Sequence, residues 1–168
     1  QQVDAATVQQ LLAARGYQEI VSFGFVDAAA QRRLLGETHA PALRNPISAD
    51  LGVMRASLWP GLVQAALQNL RRQQERGRLF EIAGCFVADT AGGVREVRRI
   101  GGIAYGDRLP EQWGSGRQAV DFHDIKSDVE ALLSFSGTDT TYSFVAPESV
   151  PPALHPGRTA EIRIAGRR

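Results

Sequence analysis

Few side chains in this sequence combine reactive chemistry with a suitable spacing. His155 stands in the run Leu154-His-Pro-Gly157. Catalysis or metal binding needs several convergent groups. No second histidine and no cysteine lies near it, so His155 reads as a turn residue. His39 and His123 carry no constellation. Acids gather at Asp121, Asp124, Asp128 and Glu130. On a helix, Asp124 and Asp128 share a face at i,i+4. Without further oxygen ligands they read as a solvated face, and no metal site is assigned. Arg71, Arg72, Arg76 and Arg78 form the one strong basic patch. It offers either phosphate contacts to RNA or a solvated helix end that complements the helix dipole. Arg55, just ahead of a helix, offers an anion site or an ion pair. The ion pair is favoured, because anion sites also need converging N–H donors.

These residues need elements to position them. Residues 4–15 read as a helix: Asp4 caps it, Val8, Leu11 and Leu12 share a face, and Gly16 ends it. Residues 18–26 read as a strand, with Val21, Phe23 and Phe25 on one side. A short helix is predicted over 28–35. Residues 36–56 are irregular, broken by Pro41 and Pro46. The longest helical pattern covers 60–75, with Leu58, Leu62, Ala66 and Leu70 in one row and Val63 and Leu67 beside it. Pro60 suits its first turn. Strands are predicted over 78–87 and 98–105, with a turn at 89–93 between them. A loop over 106–118 carries Trp113. Residues 119–135 form an amphipathic helix: Asp121 caps it, Asp124 sits in its first turn, and Phe122, Ile125, Val129, Leu132 and Leu133 make its stripe. Short strands over 140–146 and 159–165 follow. Hairpin-linked strands with flanking helices give an α+β fold with a mainly antiparallel sheet.

Composition narrows the class. The chain has 168 residues, 43% hydrophobic and 22% charged, which suits one domain with a sizeable core. Its 19 basic and 18 acidic side chains leave a net charge of +1, which neither demands nor excludes nucleic acid. The single cysteine, Cys85, rules out an intrachain disulfide and fits a reducing cytoplasm. No apolar run approaches the roughly 20 residues of a membrane span. The chain starts without Met and stops at Arg167-Arg168, so residues 1–168 read as one domain truncated at both ends.

Four segments carry a family resemblance. Val120-Asp-Phe-His-Asp-Ile-Lys-Ser-Asp-Val-Glu-Ala-Leu-Leu133 resembles the V-D-F-x-D-x-K-G-D-x-E-x-L-L segment of the bacterial phenylalanyl-tRNA synthetase beta chain family. Asn45-Pro-Ile-Ser48 followed by Met54-Arg-Ala-Ser-Leu-Trp-Pro-Gly-Leu62 resembles its N-P-I-S…M-R-x-S-L-x-P-G-L signature. Ala153-Leu-His-Pro-Gly-Arg-Thr-Ala160 resembles its L-H-P-G-x-x-A turn. Leu11 to Ile20 resembles motif 1 of class II aminoacyl-tRNA synthetases at Arg15, Gly16, Tyr17 and Ile20, although the motif's proline falls at Phe23. Leu11, Arg15, Gly16, Tyr17 and Ile20 are then the expected subunit interface.

The resemblance also implies what is missing. Arg78 to Asp89 resembles the start of motif 2, whose arginine grips the ATP α-phosphate. Val87 occupies that arginine's place and offers neither cation nor donor. Motif 3 is not found, so no catalytic residue is assigned. The family implies a class II synthetase-like core within an α2β2 heterotetramer that charges tRNA(Phe) with phenylalanine. ATP and magnesium then serve the whole enzyme, whose active site lies on the alpha chain, and neither is expected in this segment. Cut out alone, the segment is expected to self-associate. Two other readings stay open: an autonomous RNA-binding module, which the basic patch would support, and a stand-alone synthetase-like enzyme, against which Val87 argues.

Overall fold

The computed structural model describes residues 4–89, 92–114, 116–136 and 141–164. Helix α1 (Ala5–Ala14) runs from Asp4 and closes at Gly16, whose φ of +82° suits a residue without a Cβ. The strand expected over 18–26 is two short strands instead. β1 (Gln18–Glu19) and β2 (Phe25–Val26) belong to different sheets, and Val21 and Phe23 between them are exposed. Helix α2 (Ala28–Leu35) follows, with Asp27 accepting from the backbone N–H groups of Ala29 and Ala30. The irregular stretch beyond it hides a third short strand, β3 (Val53–Met54), antiparallel to β2.

Helix α3 (Trp59–Arg71) has Pro60 in its first turn, as its sequence predicts, and ends four residues before the predicted limit. Leu58, Leu62 and Ala66 are buried, but Leu70 is 43% exposed and Leu67 48%. The predicted row is therefore buried over its first three members and only partly covered at its last.

β4 (Gly77–Ala88) and β5 (Val94–Tyr105) form a long antiparallel hairpin in register from Gly77–Tyr105 to Ala88–Val94. The predicted β5 started at residue 98. The extra residues Val94–Val97 look unlike a strand because Arg95 and Glu96 break the apolar alternation, yet the hairpin register carries pairing to its tip. β1 lies parallel to β4 on the other side, giving the order β1–β4–β5. Helix α4 (Phe122–Leu133) begins with a full capping box: Asp121 accepts from the Asp124 backbone N–H, and Asp124 accepts from that of Asp121. β6 (Tyr142–Val145) and β7 (Glu161–Ile164) pair antiparallel as a separate hairpin. The outermost positions predicted for these strands, 140 and 165, lie outside the described residues.

Alternation along β4 divides the core in two. Leu79 and Cys85 meet Leu58, Leu62 and Ala66 of the α3 region. On the opposite face Phe80 meets Leu12 and Tyr17, with Leu132 of α4 alongside. Burial pushes the Cys85 thiol above its ordinary pKa. Leu62 is 1% exposed, so Leu62→Ala is expected to cost about 2–5 kcal/mol through lost burial and a residual cavity. Leu70→Ala, at the exposed end of the same row, should cost under about 1 kcal/mol. Urea unfolding of the two variants side by side checks the difference.

Candidate functional site

The parallel seam between β1 and β4 brings together the two segments whose sequences resemble motifs 1 and 2, and a carboxylate on each side of the sheet holds it. On the α4 side the carboxylate is Asp128, 6% exposed. Arg15 Nε donates to Asp128 Oδ1 at 2.6 Å, while the Tyr17 hydroxyl and Arg78 donate to Oδ2 at 2.7 and 2.8 Å. The Arg78 guanidinium also lies 5.4 Å from the centre of the Tyr17 ring. Burial, and the bond to Asp128, raise the Tyr17 phenol well above its ordinary pKa. A buried carboxylate with two guanidinium partners and a phenol has the company that a desolvated charge requires.

On the α3 side the carboxylate is Glu81, 2% exposed. It accepts from the Ser22 backbone N–H at 3.1 Å, the Ser22 hydroxyl at 2.7 Å and Arg55 at 2.8 Å. Arg55 Nε donates to the Gly84 carbonyl at 2.8 Å. The Arg55 backbone adds two rungs: its N–H donates to the Gly24 carbonyl, and its carbonyl accepts from the Phe86 N–H. Gly61, in the first turn of α3, faces this cluster, and a Cβ there would collide with the Ser22 side chain. Only glycine permits that approach.

The candidate residues separate by environment. Leu11 is half-buried on α1, and Ile20 packs against the α3-side core while its N–H donates to the Phe80 carbonyl. Arg55 and Arg78 hold the two buried carboxylates. Arg76 donates to the carbonyls of Asp107 and Arg108. Arg71 and Arg72 remain exposed. The four-arginine patch is therefore not one surface. Asp124 and Asp128 do not form a solvated face either: Asp124 pairs with Arg108 at 2.8 Å, with its own side chain 8% exposed. Sequence reading missed Glu81, Ser22 and the inward role of Asp128. A signal for Asp128 was present, since it lies three residues after Ile125 and four before Leu132, inside the apolar stripe.

Val87 lies half-buried on β4, opposite Arg95 across the hairpin. It lines a cavity with Leu58, Trp59 and Pro151. A triphosphate needs several converging cations and donors. One arginine, Arg99, and largely apolar walls do not fit that group. Among the described residues, no group of three or more His, Cys, Asp or Glu side chains is arranged to hold a metal ion. An open groove of about 880 Å³ runs along residues 20–27 and the outer face of α3. Val21, Phe23 and Leu67 lie along it, 94%, 67% and 48% exposed.

Two outcomes follow from the Asp128 cluster. Asp128→Asn leaves two guanidiniums without their counter-charge and is expected to destabilise by roughly 3–5 kcal/mol, measured by urea unfolding at neutral pH. The raised Tyr17 pKa gives a second. Its contribution is fully present below the unfolded tyrosine value of about 10 and is lost as pH rises from there toward the folded value. Tyr17→Phe should therefore be the less stable protein at pH 8, and should lose less stability than the parent between pH 9 and 11. Parallel slopes for the two proteins would contradict this.

Known proteins match this arrangement. The family model described as the phenylalanyl tRNA synthetase beta chain CLM domain matches residues 1–168. A phenylalanine–tRNA ligase beta subunit from Pseudomonas putida is 47% identical over 164 residues, which are 98% of this chain and 20% of that protein. One from Methylococcus capsulatus is 48% identical over 157 residues, 94% of this chain and 19% of that protein. The chain thus spans about a fifth of the length of the curated relatives it matches. A solved structure of Desulfitobacterium hafniense PylSc, a pyrrolysyl tRNA synthetase, aligns with a TM-score of 0.61 over 86% of this chain and 48% of that one. Its 18% identity bears on the fold alone, which is that of a class II synthetase core. A family match from the first residue to the last and relatives 47–48% identical across nearly all of the chain agree: the chain belongs to the phenylalanyl-tRNA synthetase beta chain CLM domain family.

Proposed function

We propose that the chain is the non-catalytic core of a phenylalanine–tRNA ligase beta subunit, one domain within a longer polypeptide. In this reading it supports an alpha chain, which attaches phenylalanine to tRNA(Phe) with ATP and magnesium. The observation that carries the reading is Val87. In this reading the β4–β5 hairpin takes the place of motif 2, and the position aligned with its α-phosphate arginine carries a valine. The scaffold is present without the charge that drives adenylate formation.

In this reading the alpha-chain contact lies along the groove of residues 20–27 and α3, which includes Ile20 of the expected interface. Phe23 and Val21 project from a segment whose base is clamped by the Glu81 cluster, so the apolar surface is presented on a fixed support. Exposed apolar area of this kind suits a partner interface, and in the isolated chain it would favour self-association. Arg71, exposed at the groove's end, and Arg72 beside it remain available for tRNA phosphates. A cytoplasmic setting fits this role; among the described residues no helix is long and apolar enough to cross a membrane.

The complete polypeptide should co-purify with a phenylalanyl-tRNA synthetase alpha chain. Phe23→Asp should weaken that association at least about tenfold, while changing the melting temperature little because Phe23 is exposed. The polypeptide alone should show no phenylalanine-dependent ATP–pyrophosphate exchange, and Val87→Arg should not create it, since one cation does not rebuild a multi-residue site. Exchange by the polypeptide alone, or unchanged alpha-chain affinity in Phe23→Asp, would overturn the reading.

A further inference from the structure

We propose that the cavity between the start of α3 and the β4–β5 face binds a small amphipathic monoanion, an alkyl or aryl carboxylate. The cavity measures about 470 Å³, which is ample for a small molecule. Leu58, Trp59, Val87 and Pro151 give it apolar walls, with Arg99 and His39 as its titratable members. No aspartate or glutamate lines it.

Arg99 is the anchor. Its side chain is exposed and makes no hydrogen bond or ion pair with any described residue. In this respect it differs from Arg15, Arg55, Arg76, Arg78, Arg108 and Arg117, each of which is held by a carboxylate or a carbonyl. Arg95 stands four residues away on the same face of β5, directly across from Val87, and reinforces the positive potential. A free guanidinium fork matches a planar carboxylate through two parallel N–H···O bonds. The walls then take the apolar body out of water. A polyphosphate is disfavoured, because its further charges would face carbon without partners. The anion's charge is thus met from β5, the strand beside the one that motif 2 uses. This inference does not depend on an alpha-chain partner.

The test is calorimetric titration of decanoate into the complete polypeptide, with decanol as the uncharged probe of the same length. Saturable decanoate binding is expected, weakened roughly tenfold to hundredfold in Arg99→Gln. Val87→Trp, which fills the floor, should remove it. Arg98→Gln should bind as the parent does, since that side chain points to the other face of β5. Three results would overturn the proposal: no saturable decanoate binding at millimolar concentration, equal loss in Arg99→Gln and Arg98→Gln, or decanol binding as tightly as decanoate. If Arg99→Gln fails to fold, by circular dichroism, the decanoate–decanol ratio and Val87→Trp decide alone.

Discussion

The Asp128 carboxylate is the contact on which the arrangement of this domain turns. It is buried, so its charge is tolerable only with all its partners in place. Those partners come from separate elements: Arg15 from the end of α1, Tyr17 from the entry to β1, and Arg78 from β4. Moving any one element would leave a charge without its counterpart in a medium of low dielectric. The four elements are therefore placed relative to one another by a geometric requirement, where apolar packing alone would tolerate sliding. Glu81 repeats the device on the other face of β4, tying the segment after β1 to Arg55 and to the start of α3.

In the proposed reading, this division lets a synthetase-like core keep its shape without a catalytic charge. The charges that set the fold, Asp128 and Glu81 with their arginines, sit along the central part of β4 and the helices beside it. Residue 87, which the proposed reading aligns with the α-phosphate arginine, lies near the hairpin tip, away from both buried carboxylates. In the proposed reading, a valine there withholds a phosphate ligand and leaves both buried carboxylates their partners.

Much of this was legible in the sequence because the helices obey simple rules. Asp121 and Asp124 announce the start of α4, Pro60 the first turn of α3, and Gly16 the end of α1. The strands were harder. Residues 18–26 alternate like one strand, yet the chain bends after Glu19 to let Ser22 reach Glu81, and that bend depends on a partner 59 residues away. The start of β5 was hidden by its charges, which a solvent-facing hairpin tolerates. The buried role of Asp128 was misjudged because acids on helices are usually solvated. The arginines that change that default arrive from distant positions, and spacing along one helix does not reveal them.

The unequal surroundings of β4 and β5 have a consequence for isotope exchange. β4 is bonded on one side to β5 and on the other to β1 and the Arg55 backbone, and both its faces are covered. Among the described residues β5 is bonded along one edge alone, and its first half faces solvent. Amide protons of β4 near Phe80 and Glu81 can meet deuterium only when the domain opens as a whole, whereas those on the free edge of β5 meet it by local fluctuation. The slowest protons of the molecule should therefore mark the strand that carries Glu81 and Arg78, and a segment arriving from elsewhere to cover β5 would reveal itself by slowing the other.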